Sequence, residues 1–264
     1  MSESETHLVE CFQSREKFYK SCLHIIATIC DIKQATDLCR QLLQRINNRK
    51  NREYLLNMTT VDEFEFCGEI VPVRVAAIHI AAYNGNPGVV RLLCQQYGVD
   101  ADCSTSETME EKPTKNITAL NWAARNGHIE VVKALLDNKV NVCLTAGGYT
   151  PLYIAGAYGH IEMVKLLLLN KADVNASCTD EGATPLYGAA AWGHVEVVKL
   201  LLGNKADVNA SRHTDGVTPL YVAAQDGHTQ VVKLLLDNKA DVNASCTDDS
   251  ATPLYVAAEN DIQK

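Results

Sequence analysis

The sequence predicts an all-α solenoid, in which helix-turn-helix units joined by short β-hairpin turns stack behind an N-terminal helical cap. Two observations carry the prediction. The first is internal repetition: Thr150-Pro151-Leu152-Tyr153 returns as Thr184-Pro185-Leu186-Tyr187, Thr218-Pro219-Leu220-Tyr221 and Thr252-Pro253-Leu254-Tyr255, the leucines 34 residues apart. A degenerate copy, Thr118-Ala119-Leu120-Asn121, puts its leucine 32 residues before Leu152. A single unit of this size cannot bury its own apolar stripe, so neighbouring copies must stack. The second observation is a change of charge. Residues 1–60 hold nine Lys/Arg and seven Asp/Glu, whereas residues 61–264 hold fifteen and twenty-five. The chain therefore divides into a helical region over 1–60 and a repeat array over 61–264 whose last unit is incomplete.

Each part of the period has a physical role. Thr before Pro reads as a helix N-cap: the hydroxyl takes an orphan N–H, and Pro at the first helical position loses nothing by lacking its own. A short Ala-rich helix follows, with Ala189 and Ala190 in one copy allowing a neighbour to approach closely. Gly-His then recurs at 127/128, 159/160, 193/194 and 227/228. The glycine supplies the left-handed residue that ends the first helix. In the second helix Val195, Val198, Leu201 and Leu202 fall at spacings of three and four, an apolar stripe on one face. Asp207-Val208-Asn209 and the polar stretch after it read as the turn into the next Thr-Pro.

Ahead of the array, Leu8, Cys11, Phe12, Tyr19, Cys22, Leu23, Ile26, Ile29 and Cys30 keep helical spacing. After Asp31, read as an N-cap, so do Ala35, Leu38, Cys39, Leu42, Leu43 and Ile46. A third short helix is expected around Arg52–Met58. Phe64, Phe66, Ile70, Val71 and Val73 alternate around Gly68, as in a hairpin. The role that fits these segments is a cap on the front of the stack.

The repeated phrase resembles the ankyrin repeat family. Thr-Pro-Leu-Tyr stands where the family has Thr-Pro-Leu-His, and Ala-Ala, Gly-His and Ala-Asp-Val-Asn-Ala match in register from about residue 117 to 258. Ala76-Ala77-Ile78-His79-Ile80-Ala81-Ala82 and Val89-Val90-Arg91-Leu92-Leu93 form an earlier unit. We count four complete or near-complete units and the first half of a fifth. The resemblance implies a protein-binding module that holds its partner on a concave face of turn tips and first helices. It implies neither cofactor nor small-molecule substrate. Asn175, Asn209 and Asn243 each have Leu eight residues before and Asp two before, the setting in which the family's asparagines are hydroxylated.

Some positions depart from the family. Lys139, Lys171, Lys205 and Lys239 replace its usual Gly, where a left-handed residue costs a side chain about 1 kcal/mol. The preceding Asn138, Asn170, Asn204 and Asn238 are expected to carry part of that geometry. The link from Asp102 to Thr118 is sixteen residues long and polar, which predicts a mobile finger on the turn side. The early unit, this link and Thr118-Ala119-Leu120 are faintly similar to feminization-type ankyrin receptors of cullin ubiquitin ligases. They imply an alternative role as the substrate-recognition arm of a ubiquitin-ligase assembly; a separate alternative is the N-terminal regulatory arm of a kinase or channel whose catalytic part would follow Lys264. The sequence stops at Lys264 after one helix of its last unit, whose open apolar face predicts either a longer array, the favoured reading, or a partner that covers that end.

Composition narrows the remaining choices. An apolar fraction of 47% and a charged fraction of 21% are globular values. A net charge of −8 argues against a surface that grips nucleic acid. No apolar run approaches the roughly 20 residues that span a bilayer. The acidic opening is unlike a secretory leader, so a reducing compartment, the cytoplasm or nucleus, is expected. The ten cysteines form no Cys-x-x-Cys pair. Cys22, Cys30, Cys39 and Cys94 take apolar helical positions, while Cys178 and Cys246 fall at matching turn positions expected to be exposed. His-x-Glu at His128/Glu130, His160/Glu162 and His194/Glu196 matches part of a zinc deaminase motif. It returns with the repeat and lacks the Pro-Cys-x-x-Cys partner, so it reads as scaffold. The basic cluster Arg45, Arg49, Lys50 and Arg52 has no interleaved aromatics and reads as a solvated helix end. No active site or metal site is expected.

Binding residues in a repeat array are those that vary between copies. The pairs before Gly-His differ: Arg125-Asn126, Ala157-Tyr158, Ala191-Trp192 and Gln225-Asp226. So do Tyr149, Glu181, Arg212 and Asp215 in the turns. The candidate protein-binding set is therefore Arg125, Asn126, Tyr149, Tyr158, Glu181, Trp192, Arg212, Asp215, Gln225 and Asp226. Tyr149, Tyr158 and Trp192 are expected close together, as large aromatics serve as contact hot spots. The competing reading packs Tyr158 or Trp192 between units.

Overall fold

The computed structural model describes residues 32–45, 60–66, 69–104, 117–145, 147–179, 181–247 and 250–262. The helical spacing over Leu8–Cys30, the short helix near Arg52–Met58, most of the polar link and Arg49, Lys50 and Arg52 lie outside these residues. Packing divides the chain into two compact units, Met1–Val140 and Asn141–Lys264.

In the first unit α1 spans Ile32–Arg45 and buries Ala35, Cys39 and Leu43, spaced by four on one face. β1 (Thr60–Phe66) pairs antiparallel with β2 (Glu69–Val75), Phe64 opposite Val71, which is the expected hairpin. The first helix pair is α2 (Ala77–Tyr83) and α3 (Pro87–Arg91), with α3 running on into a π-helical turn over Leu92–Gln96. The second pair is α4 (Ala119–Asn126) and α5 (Ile129–Asp137). α2 packs on α4, α3 on α5, and α1 on α3. Helix α1 thus covers the second helix of the first pair, as a cap does. Gly88 lets α1 approach closely there: a Cβ would meet the Thr36 hydroxyl and force that side chain to move.

The second unit continues the pattern with α6 (Pro151–Ala157) and α7 (Ile161–Leu169), then α8 (Pro185–Ala191) and α9 (Val195–Gly203). α10 (Pro219–Gln225) and α11 (Thr229–Asp237) form the next pair, and α12 (Pro253–Ile262) ends it. First helices pack in the order α6, α8, α10, α12, and second helices in the order α7, α9, α11. Small residues set the approach: a Cβ on Gly156 would lie 3.2 Å from the Pro185 carbonyl oxygen, and one on Gly188 3.1 Å from the Tyr153 ring. Five helix pairs and a single further helix are seen among the described residues, one pair more than the sequence count. The tally of four fell short because it left out the earlier unit read at Ala76–Leu93, which is α2/α3.

The caps form as the sequence requires. Thr150, Thr184 and Thr218 accept the backbone N–H of Tyr153, Tyr187 and Tyr221 at 3.1, 3.3 and 3.2 Å. Where the first pair has Ala76 instead of Thr, the Ala76 N–H donates to His79 Nδ1 at 3.0 Å, and His79 Nε2 lies 2.9 Å from the Cys103 carbonyl. At the far end of each second helix the expectation for Asn fails. Asn138, Asn170, Asn204 and Asn238 have φ between −98° and −93°. The left-handed residues are the lysines, with φ of 60°, 67°, 67° and 70° at Lys139, Lys171, Lys205 and Lys239. Each Asn instead donates its side-chain amide to the carbonyl four residues back, and at Asn170, Asn204 and Asn238 that carbonyl also accepts the backbone N–H of the same residue.

The turns between pairs are closed by reciprocal backbone bonds. Cys178 N–H donates to the Ala183 carbonyl at 2.8 Å and Gly182 N–H to the Cys178 carbonyl at 3.1 Å. Arg212 with Val217 and Gly216 repeats the arrangement, and Cys246 N–H donates to the Ala251 carbonyl. These are the hairpin-like turns of the prediction. Successive turns are also joined, His213 N–H to the Glu181 carbonyl and Thr247 N–H to the Asp215 carbonyl. Cys178 and Cys246, expected at the surface, are buried, because the closed turn folds their side chains inward.

Candidate protein-binding surface

The second unit places the aromatic candidates at equivalent ends. Tyr158 and Trp192 are the C-cap residues of α6 and α8, and Asp226 caps α10. The left-handed glycine that follows each one turns the chain and aims the cap side chain off the helix end. Trp192 is 68% exposed and does not pack between units; Tyr158 is 37% exposed and stacks on its own neighbour His160, ring centroids 6.2 Å apart. Tyr149 stacks on Tyr153 at 5.1 Å. Gln225 and Asp226 are exposed.

The charged turn candidates are tied to each other. Arg212 occupies the register position of Cys178 and Cys246, so its side chain leaves a largely buried site. It pairs with Asp215 in its own turn and with Glu181 of the preceding turn at 2.9 Å, and its guanidinium lies 5.2 Å over the Tyr187 ring. The Asp215 hydrogen bond raises the Arg212 pKa and holds the Asp215 carboxyl below its ordinary value. Burial pushes the Tyr187 phenol up, Arg212 opposes it, and Asp215, Glu181 and Asp226 add to it. Three carboxylates and one arginine therefore sit within electrostatic reach of Tyr187. Nothing in the sequence marked this tyrosine, since its register mates are also Tyr; the single Arg in a Cys position was the available signal.

In the first unit Arg125 and Asn126 end α4. Asn126 gives its amide to the Tyr83 carbonyl at 2.9 Å, and Arg125 donates to the Asn126 side-chain oxygen at 3.3 Å. Asn126 thereby links two helix pairs.

The recurring histidines also tie pair to pair. Nε2 of His128, His194 and His228 lies 2.9–3.0 Å from the carbonyls of Tyr83, Ala157 and Ala191. The rings rest on the glycines of the preceding pair, where a Cβ would come within 2.8 Å or less of His128, His194 or His228. Glu130, Glu162 and Glu196 pair on the exposed face with Lys133, Lys165 and Lys199. The His-x-Glu pattern is thus scaffold in geometry as well as in period. Among the described residues no group of three or more His, Cys, Asp or Glu is placed to hold a metal ion.

A family model for ankyrin repeats matches residues 5–146, 78–178, 146–212 and 189–264. The chain belongs to the ankyrin-repeat family. Ankyrin repeats are protein-interaction modules, typically without catalysis, and the helix pairs, capped turns and left-handed corners described above are their architecture. Comparison with curated proteins finds no match. No helix among the described residues is long and apolar enough to cross a membrane.

The ankyrin turn asparagines serve the stack directly. Asn175 Oδ1 accepts the Asp207 N–H, and Asn209 Oδ1 the Asp241 N–H, both at 2.8 Å. Asp173, Asp207 and Asp241 in turn accept the N–H two residues on. All three asparagines are exposed.

Proposed function

We propose that this ankyrin protein is a non-enzymatic scaffold that binds a partner protein across the turn tips and first-helix ends of its repeats, with residues 1–60 as a helical region ahead of the array. Trp192 carries the reading. An indole 68% exposed at a helix end, with Tyr158 at the equivalent end one repeat earlier, has no role in the stack, and exposed Trp and Tyr are the residues that anchor interfaces. Tyr149, Gln225 and Asp226 extend the surface, while Glu181, Arg212 and Asp215 form a fixed charged edge. Arg125 and Asn126 are the corresponding residues of the first unit. The test is capture of binding partners by wild type and by the Trp192→Ala, Tyr158→Ala double variant. Loss of at least about tenfold in affinity is expected for a hot-spot pair, with an unchanged far-UV circular dichroism spectrum. Undiminished capture by a folded double variant overturns the assignment.

A second reading concerns modification. Asn175, Asn209 and Asn243 are exposed in the family's hydroxylation setting, which makes them candidate hydroxylation sites. Asn175 and Asn209 already use their side-chain oxygen between repeats, so modification of these two requires local opening of the turn. Peptide mass spectrometry of the protein from cells should show the mass of one added oxygen on these residues. Its absence from all three sinks this reading.

A further inference from the structure

The second unit separates its charges by element. In sequence, the turn and first-helix segments 141–159, 173–193, 207–227 and 241–262 contain eleven Asp/Glu and one Lys/Arg, Arg212. The second-helix segments 160–172, 194–206 and 228–240 contain six Lys and three Asp/Glu. The single arginine is already taken by Asp215 and Glu181. Asp173, Asp207 and Asp241 are partly occupied by the N–H groups of their own turns. Asp226 and Glu259 remain exposed, Asp226 at the position of Trp192 one repeat on and Glu259 at the position of Gln225 one repeat on.

Trp192 and Asp226 hold the same position in successive repeats. His228 fixes their spacing, its Nε2 lying 3.0 Å from the Ala191 carbonyl and its ring resting on Gly193. An exposed indole with a carboxylate at the same position of the following repeat can receive a cation: an Arg or Lys side chain can stack on the ring face and reach the acid.

We propose that the partner segment bound by this surface is basic, an Arg- or Lys-bearing peptide whose cation stacks on Trp192 and pairs with Asp226, a further cation meeting Glu259. The proposal rests on the binding face assigned above and adds the chemistry of its occupant. Charge complementarity decides the sign: with Arg212 neutralised, an acidic segment meets only repulsion here, whereas a basic one is steered in.

The experiment selects a random twelve-residue peptide library on the purified full-length chain and measures the selected peptides against variants. Expected are peptides enriched in Arg and Lys, weakened at least about tenfold by Trp192→Ala and about fivefold by Asp226→Asn, the latter loss shrinking in 0.5 M NaCl as screening removes it. Far-UV circular dichroism confirms that both variants fold. Selected peptides that need Trp192 but are neutral or acidic overturn the basic partner and leave the binding face standing. Selected peptides indifferent to Trp192→Ala, or no binders at all, overturn the face and the inference together.

Discussion

At the scale of single residues, the four lysines with left-handed backbone are the clearest local cost. Lys205 has φ of 67° with no bonded reason for being Lys, so Lys205→Gly should raise stability by about 0.5–1 kcal/mol in urea unfolding. Asn204→Ala should lower it by about 0.5 kcal/mol, because the Leu200 carbonyl loses the side-chain donor and keeps the backbone N–H of residue 204. A gain from the Asn substitution contradicts this division of labour. The sequence showed that Lys stands where Gly is usual, yet it pointed to the neighbouring Asn as the strained residue. Asn tolerates left-handed backbone, but here its side chain has a better use on the carbonyl four residues back, and that choice is invisible without the helix end. Thiols follow the same logic. Burial pushes Cys39 and Cys103 up to about 12 and Cys94 up to about 11, from an ordinary 9.0. Folding keeps these protons, so their contribution is complete below pH 9 and is lost as pH rises toward 11–12. Among the described cysteines, exposed Cys143 should alkylate first at pH 8 and buried Cys39, Cys178 and Cys246 last, read by peptide mass spectrometry. Rapid labelling of Cys178 in the folded protein contradicts its buried place.

At the scale of elements, each first helix depends on one cap at its start and one glycine at its end. Thr184→Ala should cost about 1 kcal/mol, the ordinary loss of an N-cap, measured by thermal or urea unfolding. Gly193→Ala should cost more than that. It strains a residue with φ of 69° and drives a methyl into the His228 ring, with the His228–Ala191 bond at stake. A Gly193→Ala loss smaller than the Thr184→Ala loss contradicts this. These caps were legible because each rests on near neighbours in sequence: a hydroxyl three residues before the N–H it takes, a glycine just past the last helical turn. What the histidine does was not legible, since its carbonyl partner lies 37 residues away in the second unit. The candidate binding residues divide the same way. Variation between copies found Trp192, Tyr158 and Asp226, which the fold leaves exposed. It also picked out Asn126 and Arg212, whose variation reflects bonds made to a neighbouring pair.

At the scale of the whole molecule, stability is the sum of what each repeat contributes and what each interface adds, so a repeat with one bare side is the weakest. Within the 264 residues α12 packs on one first helix, α10. Leu254 is 76% and Tyr255 59% exposed, whereas their counterparts one period earlier, Leu220 and Tyr221, are 2% and 8% exposed. Those counterparts are covered because α10 packs on both α8 and α12 and against its own second helix α11, while α12 packs on α10. Leaving two large side chains in water forgoes about 1.5–3 kcal/mol each of the burial their counterparts obtain. Native-state hydrogen exchange should therefore show amides of α12 opening at least about a hundredfold more readily than those of α8, with α10 between them. Leu254→Gln with Tyr255→Gln should leave protection in α8 unchanged, since neither side chain supports that helix. Equal protection along α6, α8, α10 and α12 contradicts the additive picture, because it requires the second unit to open only as a single cooperative block.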